Sequence, residues 1–210
     1  MKEIKFYKVN DPFGFFSNFS AHPIYLDSER WNTVEHYFQA NKFESIEIRE
    51  RIKSIGSPMQ AAIEGRDSKN IIRSDWDAIK EQVMYNALRC KFLQHPKLLK
   101  ELLLTEDSLI IEHTENDNYW GDGGDGTGKN RLGVLLMNVR SEIRKHIDDP
   151  SMILPPWIAF PTIDQLDMFW RMGLGEDYFM QWVQYLLSTD QKKYREKFPE
   201  PQEWEGVYDE

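Results

Sequence analysis

Residues Trp31–Phe43 read WNTVEHYFQANKF. A helix is predicted from Asn32 to about Glu44, because Val34, Tyr37 and Phe38 share one face. A helix turns about 100° per residue, so positions four and seven apart fall on one stripe. Glu35, Gln39 and Lys42 have that spacing and overlap only partly with the apolar set. Glu35 and Lys42 then stand roughly 10 Å apart along the axis, beyond the reach at which neighbouring helical ion pairs form. Helical lysines lean toward the N-terminus, so Lys42 aims back at Glu35 with Gln39 between them. A small polar ligand lying across that gap would touch all three. The same letters also fit a purely structural helix. Asn32 followed by Glu35 is a capping-box-like pair, and Glu35 near the start and Lys42 near the end both suit the helix dipole. His36 lacks a His or Cys partner at metal spacing and is expected to be packed or hydrogen-bonded.

On the N-terminal side, IKFYKV alternates like a short strand, and DPFGFFSNFSAHP is an aromatic loop broken by Pro12, Gly14 and Pro23. IYLDSERW is expected to be a hairpin turning at Asp27 and Ser28. On the other side, SIEIRERIKSIG and SPMQAAIEG are predicted short helices closed by Gly56 and Gly65. SDWDAIKEQVMYNALRCKFLQH is the longest helix candidate, capped by Ser74 or Asp75, with Ile79, Val83, Ala87 and Cys90 on one stripe. Trp76 and Met84 are expected in the core. PKLLKELLLTE is a further helix, SLIIEH a brief strand, and NRLGVLLMNVRSEIRKHI a helix with Leu132, Leu135, Leu136 and Val139 inward.

Between the last two lies a second polar segment, NYWGDGGDGTGKNRLG, Asn118 to Gly133. Its glycines allow backbone amides to approach a ligand closely. GGDGTGKN falls short of a phosphate-binding P-loop, because Asn130 stands where a Ser or Thr must hold magnesium and no strand ends at the loop. The spacing of its Asp residues does not make an EF-hand either. The loop opens a helix near Asn130, so free amides with Lys129 and Arg131 are expected to form an anion site. Trp120 would stack on a ring or cover the pocket. A solvated, mobile loop is the other reading, disfavoured by a tryptophan that would forgo burial.

A break is expected at Asp148–Pro150. Residues 1–145 are expected to be the working domain, and residues 146–210 an extension packed on it. DDPSMILPPWIAFPTI is expected to run extended, LGEDYFMQWVQYLLS to be helical, and FPEPQEWEGVYDE to be an acidic tail. Trp157, Phe160, Trp170, Tyr178 and Trp182 would form either an exposed partner-binding patch or a buried cluster.

Composition narrows the classes. Apolar residues at 40% suffice for a packed core. The net charge of −9 argues against holding bare duplex DNA by its phosphates, though a local basic pocket is compatible with it. The single cysteine, Cys90, excludes an internal disulfide framework and a cysteine zinc cluster. MKEIKFYKVNDPFGFF has no apolar signal run, and no stretch reaches membrane-spanning length. A cytoplasmic protein with no membrane partner is expected. No oligomeric state follows from the sequence.

Taken together, FGFFSNFSAHPI, WNTVEHYFQANKF, AAIEGR, SDWDAIKEQVMYNALRCKF, LLLTEDSLIIEHTENDNYWGDG and NRLGVLLMNVR resemble the NADAR family, the YbiA-like N-glycosidases. The motifs run in order over about residues 6–144. The resemblance implies a mainly α fold with a small β element, followed by a mostly helical C-terminal extension. It implies cleavage of a bond between a ribose C1 and a nitrogen, with no metal or organic cofactor. Two substrate groups are implied: phosphoribosylamino-pyrimidine intermediates of riboflavin synthesis, and ADP-ribosylated guanine in nucleic acid. It favours Lys42 as a nucleophile forming a Schiff base and Glu35 as acid/base. It places Asn18 and Phe19 at the ribose or base, with Trp31 either beside them or in the core. Trp120, Gly121 and Asp122 would cover the other side, Gln39 would bridge the stripe, and Arg66 and Asn130 would contact phosphate or hydroxyls. The competing class is a non-catalytic ADP-ribose or nucleotide-binding module. Keeping both Glu35 and Lys42 disfavours it, since binding alone does not require the pair.

Overall fold

The computed structural model describes residues 2–145, 149, 151–198, 200 and 202–207. In chain order these form β1 (Glu3–Phe6), β2 (Ile24–Leu26), β3 (Glu29–Trp31), α1 (Val34–Ala40), α2 (Ile46–Ser54), α3 (Pro58–Glu64), α4 (Trp76–Gln94), α5 (Pro96–Leu104), β4 (Leu109–Glu112), α6 (Arg131–Arg144), α7 (Pro156–Ala159), α8 (Gly173–Ser188) and α9 (Gln191–Lys197), with short 3₁₀ turns between. Most of the predicted break at Asp148–Pro150, and the last residues of the acidic tail, lie outside the described residues.

Helix α1 sits at the centre. Thr33, rather than Asn32, caps it: the Thr33 Oγ1 accepts from the His36 N–H at 3.4 Å and meets His36 Nδ1 at 2.8 Å. His36 Nε2 reaches the Ile55 carbonyl at 2.9 Å, so this histidine is a packed, hydrogen-bonded residue. Every residue from Val34 to Ala40 is buried. A decorated surface helix would keep a solvated face; α1 has none, and its Glu35, His36 and Gln39 must find partners inside the protein.

The hairpin forms as the sequence indicates. Ile24 pairs with Trp31 across β2 and β3, and Asp27 and Ser28 turn with φ of 56° and 62°, the double positive φ of a tight hairpin turn. Strand β1 turns Ile4 and Phe6 inward and pairs with β4 in parallel, Phe6 opposite Glu112. Helix α6 lies against β4 with Leu132, Leu135, Leu136 and Val139 buried, each contributing roughly 1.5–3 kcal/mol by leaving water. Helix α4 spans the core. Its Gln94 side chain completes the edge of the hairpin, accepting from the Tyr25 N–H and donating to the Tyr25 carbonyl, both at 2.8 Å.

Residues 151–198 depart from expectation in two places. Pro156–Ala159 is a turn of helix rather than extended chain, because Pro156 stands at a first-turn position where its missing N–H is harmless. Helix α9 was not foreseen; QKKYREK is charged on nearly every side, with Tyr194 alone buried, and Asp190 caps it by accepting from Lys193 N–H at 3.2 Å. Phe160, Tyr178 and Trp182 are buried, with the Phe160 and Tyr178 ring centroids 4.9 Å apart, so these aromatics build a core rather than an exposed patch. Phe169 carries that cluster onto the hairpin, 5.1 Å from the Tyr25 ring. Among the described residues no helix is long and apolar enough to cross a membrane.

Candidate active site

The cleft of interest has a volume of about 200 Å³. Glu35, Phe38, Gln39 and Lys42 form one wall; Asn18 and Phe19, Arg66, Met84, Glu112, Asp117, Trp120 and Leu132 complete it. Helix α1 is shorter than predicted and ends at Ala40, with Asn41 still in the αR region. Tightened turns continue its rotation: Lys42 N–H bonds Gln39 O at 3.3 Å and Phe43 N–H bonds Ala40 O at 3.2 Å. Lys42 therefore stays on the stripe of Glu35 and Gln39 although it lies outside the helix. The cleft opens into a wider vestibule of about 810 Å³, bordered by Tyr7, Lys8, Val9 and Met59, with Phe19, Arg66, Glu112 and Asp117 shared between the two.

Glu35 is buried and held from two sides. Gln39 Nε2 donates to its Oε1 at 2.6 Å, and Asn18 Nδ2 donates to Oε2. The Asn18 carbonyl in turn accepts from the Glu35 N–H at 3.0 Å, tying the aromatic loop to the start of α1. Burial raises the Glu35 carboxyl to about 6, against the opposing pull of Gln39, Lys42, Arg66 and Asn18. Burial also lowers Lys42, aided by the Arg66 charge and opposed by Glu35. The Lys42 shift moves toward a free amine, while the Glu35 shift brings its carboxyl close to neutrality and leaves it able to ionise above about 6.

Gly65 packs this wall tightly. Lys42 Nζ donates to the Gly65 carbonyl at 3.2 Å, and a Cβ at Gly65 would run into the Gln39 amide. Gly65 has an ordinary αR backbone, so the requirement is for space and not for unusual dihedrals. Gly65→Ala is expected to push Gln39 off Glu35 and shift the Lys42 anchor, lowering kcat/KM on the order of 10²-fold, as displacements near 1 Å do. A variant with wild-type kinetics would show that this contact does not set the geometry.

Beneath the aromatic loop lies Lys91, fully buried on α4. Its Nζ donates to Phe15 O at 2.5 Å, Ser17 O at 2.9 Å and Ser20 Oγ at 2.6 Å. Burial pushes the amine down to about 7, while three acceptors match its three donors. Lys91 thus clamps the loop that delivers Asn18 and Phe19. Lys91→Met leaves those acceptors without a donor and is expected to destabilise the fold by about 2–4 kcal/mol, read as a lower urea midpoint with unchanged m-value.

The structure brings Asn18, Phe19, Glu35, Gln39, Lys42, Arg66 and Trp120 together in the cleft. Trp31, Gly121, Asp122 and Asn130 are not in its lining. Trp31 packs edge-on to Tyr37 at 5.4 Å and donates to Leu26 O at 3.2 Å. Asp122 organises its own loop, meeting His113 Nδ1 at 2.8 Å and accepting from Gly124 N–H at 2.9 Å. Gly121 leaves no room for a side chain against Thr114, Asp117 and Glu112. Asn130 bonds the β4 backbone, accepting from Glu112 N–H at 3.0 Å and donating to Ile110 O at 2.8 Å. The expected anion site at the start of α6 does not form. The N–H groups of Lys129, Asn130, Arg131 and Leu132 are taken by the carbonyls of Asn118, Gly121, Tyr119 and Trp120 at 2.8–3.0 Å, and Arg131 is bound to Glu81. The glycine loop closes on itself, and Trp120 reaches the cleft from it beside the preceding Asp117. Trp120 stands there edge-on to Phe38, centroids 5.4 Å apart.

The sequence reading missed Glu112 and Asp117, and took Phe38, Met84 and Leu132 for packing residues alone. Glu112 ends a strand whose other residues are apolar, and nothing in its spacing links it to α1. Burial, then the neighbouring Asp117, Glu35 and Asp122, raise its carboxyl to about 8. Among the described residues no group of three or more His, Cys, Asp or Glu side chains is placed to hold a metal ion.

Comparison with known proteins agrees with this architecture. The chain is 54% identical over 140 residues to N-glycosidase YbiA of Escherichia coli, covering 67% of this chain and 88% of that protein. It is 45% identical to an N-glycosidase of Nostoc punctiforme (67% of this chain, 92% of the other). It is 44% identical to the chloroplastic riboflavin biosynthesis protein PYRR of Zea mays, covering 67% of this chain and 25% of that longer protein. The NMR structure of the E. coli protein YbiA superposes with a TM-score of 0.65 at 52% identity, covering 69% of this chain and 86% of that one. The NADAR domain model matches residues 5–144, the span that contains every residue lining the cleft, and the chain belongs to the NADAR family.

Proposed function

We propose that this protein is an N-glycosidase that hydrolyses the bond between a ribose C1 and a nitrogen, and that residues 1–145 carry the activity with residues 146–210 as an extension. The observation that carries the reading is the shared cleft of Glu35 and Lys42, with Lys42 shifted by burial toward the free amine the chemistry needs. Ring opening of a ribosylamine gives an imine at C1. The Lys42 amine adds to that carbon, the nitrogen base departs, and a Schiff base joins Nζ to C1. Water hydrolyses it to the free sugar and restores the amine. The Glu35 carboxylate faces the positive charge that develops at C1.

The substrate is a phosphorylated ribosyl small molecule of the ribosylamino-pyrimidine kind. The cleft has the scale of a ribose, and Lys8 and Arg66 line the vestibule where a phosphate would sit. The net charge of −9 and the riboflavin-related name of the maize relative point the same way. The volume of the vestibule also favours a second reading, ADP-ribosyl guanine carried on nucleic acid. A cytoplasmic setting suits Cys90, which is free and buried.

One assay tests the whole reading. The protein is incubated with a phosphoribosylamino-pyrimidine and with an ADP-ribosyl-guanine oligonucleotide, and free base is measured. Release from the first is expected. Release from the oligonucleotide alone would transfer the substrate assignment to it. Tight ADP-ribose binding with no base released from either would replace the enzyme by a binding module.

A further inference from the structure

Lys42 and Glu35 act on the sugar side of the bond, and neither supplies the leaving nitrogen with its last proton. The lining of the two spaces identifies where that proton is held. Lys42, Glu35 and Gln39 line the inner cleft only, whereas Phe19, Arg66, Glu112 and Asp117 line both cleft and vestibule. A ribose seated against Lys42 therefore places its C1–N bond at this seam, with the departing base in the vestibule. Of the four seam residues, Phe19 has no exchangeable proton and Arg66 keeps its charge. Asp117 Oδ1 is engaged as an acceptor from the Tyr119 and Trp120 N–H groups, both at 2.8 Å. Glu112 differs: among the described residues no donor is bound to its carboxyl, while its backbone is pinned at both ends. Its N–H donates to Asn130 Oδ1 at 3.0 Å, and its carbonyl accepts from Asp122 N–H at 2.9 Å.

Resting on the N-glycosidase reading above, we infer that Glu112 is a further catalytic residue, the general acid that protonates the leaving nitrogen at the seam between cleft and vestibule. Its surroundings favour the protonated form that such an acid needs. Burial and the carboxylates of Asp117, Glu35 and Asp122 raise its carboxyl to about 8. The step balances. As the bond from C1 to the base breaks, its electron pair stays on nitrogen. The base leaves as a neutral amine carrying one proton from the attacking Lys42 amine and one from Glu112. After water has hydrolysed the Schiff base, the proton shed by the Lys42 ammonium returns to Glu112. Two carboxyl groups thus serve one cleft in opposite states, Glu35 ionised toward the sugar and Glu112 protonated toward the base.

The test uses the full chain, its Glu112→Gln and Glu112→Asp variants, and a series of N-aryl ribosylamine 5-phosphates. The series includes the aminopyrimidine and runs to nitro-substituted arylamines that depart readily without a proton. Glu112→Gln is expected to lose roughly 10²–10⁴-fold in kcat on the amines that depart least readily, with the loss shrinking steadily toward the nitro-substituted end. Glu112→Asp, which keeps an acid one methylene shorter, is expected to recover part of the rate on the poor leaving groups. An equal loss across the whole series would mark a structural role and overturn the assignment, as would Glu112→Gln at wild-type rate. Wild-type protein that released no amine from any member would overturn the N-glycosidase reading, and this role with it.

Discussion

Lys42→Ala is expected to abolish base release, by on the order of 10⁴-fold or more, since loss of a nucleophile removes the covalent route altogether. The reason is local. Lys42 is half-buried, lowered by burial and by Arg66, and anchored through Nζ to the Gly65 carbonyl at 3.2 Å. Those features hold the amine in the cleft, where no other lysine lines the walls among the described residues. Lys42→Arg is expected to fail equally, because a guanidinium keeps the charge but offers no nucleophilic lone pair at neutral pH. Borohydride added during turnover is expected to trap a sugar adduct on wild-type Lys42 and none on either variant. Full turnover by Lys42→Ala would refute the assignment. Loss of turnover without a wild-type adduct would leave Lys42 an electrostatic role and remove the Schiff base.

Glu35→Gln should follow a different pattern, a fall in kcat of roughly 10²–10⁴-fold with a changed pH profile. The wild-type carboxyl titrates at about 6. The proposed mechanism uses its carboxylate, so wild-type activity is expected to rise with pH through that value, and the variant to lack this limb. Stability runs the other way. Burial raises the folded-state carboxyl from 4.5 to about 6, so folding favours the protonated form. The resulting penalty is absent below the unfolded value and complete above the folded one. Between about pH 4 and about pH 8 the stability difference should therefore move by up to about 2 kcal/mol in favour of Glu35→Gln. Unfolding titrations of both proteins at the two pH values measure it. A variant that kept the acid limb would show that another group titrates there.

Local order was legible in the sequence wherever a period or a turn dipeptide expressed it. The stripe of Glu35, Gln39 and Lys42, the hairpin at Asp27 and Ser28, and the inward leucines of α6 all follow from spacing. What escaped depends on contacts between distant segments. Lys91 looks like a surface lysine on a helix; its acceptors at Phe15, Ser17 and Ser20 lie more than seventy residues away. Glu112 faces α1 only because β4 pairs with β1. The amides at the start of α6 looked free, and the carbonyls that take them come from the preceding loop, whose path no local rule supplies. Helix α9 was hidden because one buried tyrosine is too little pattern to register.

The pairing of Glu3–Phe6 with Leu109–Glu112 also sets a schedule for biosynthesis. Strand β1 leaves the ribosome with no neighbour to bond, and must wait until about a hundred further residues have been translated. Such long-range closure is slow compared with helix formation. The wall bearing Glu112 is therefore completed after the hairpin and α1 are already in place, so a nascent chain carries its lysine without a finished chamber around it.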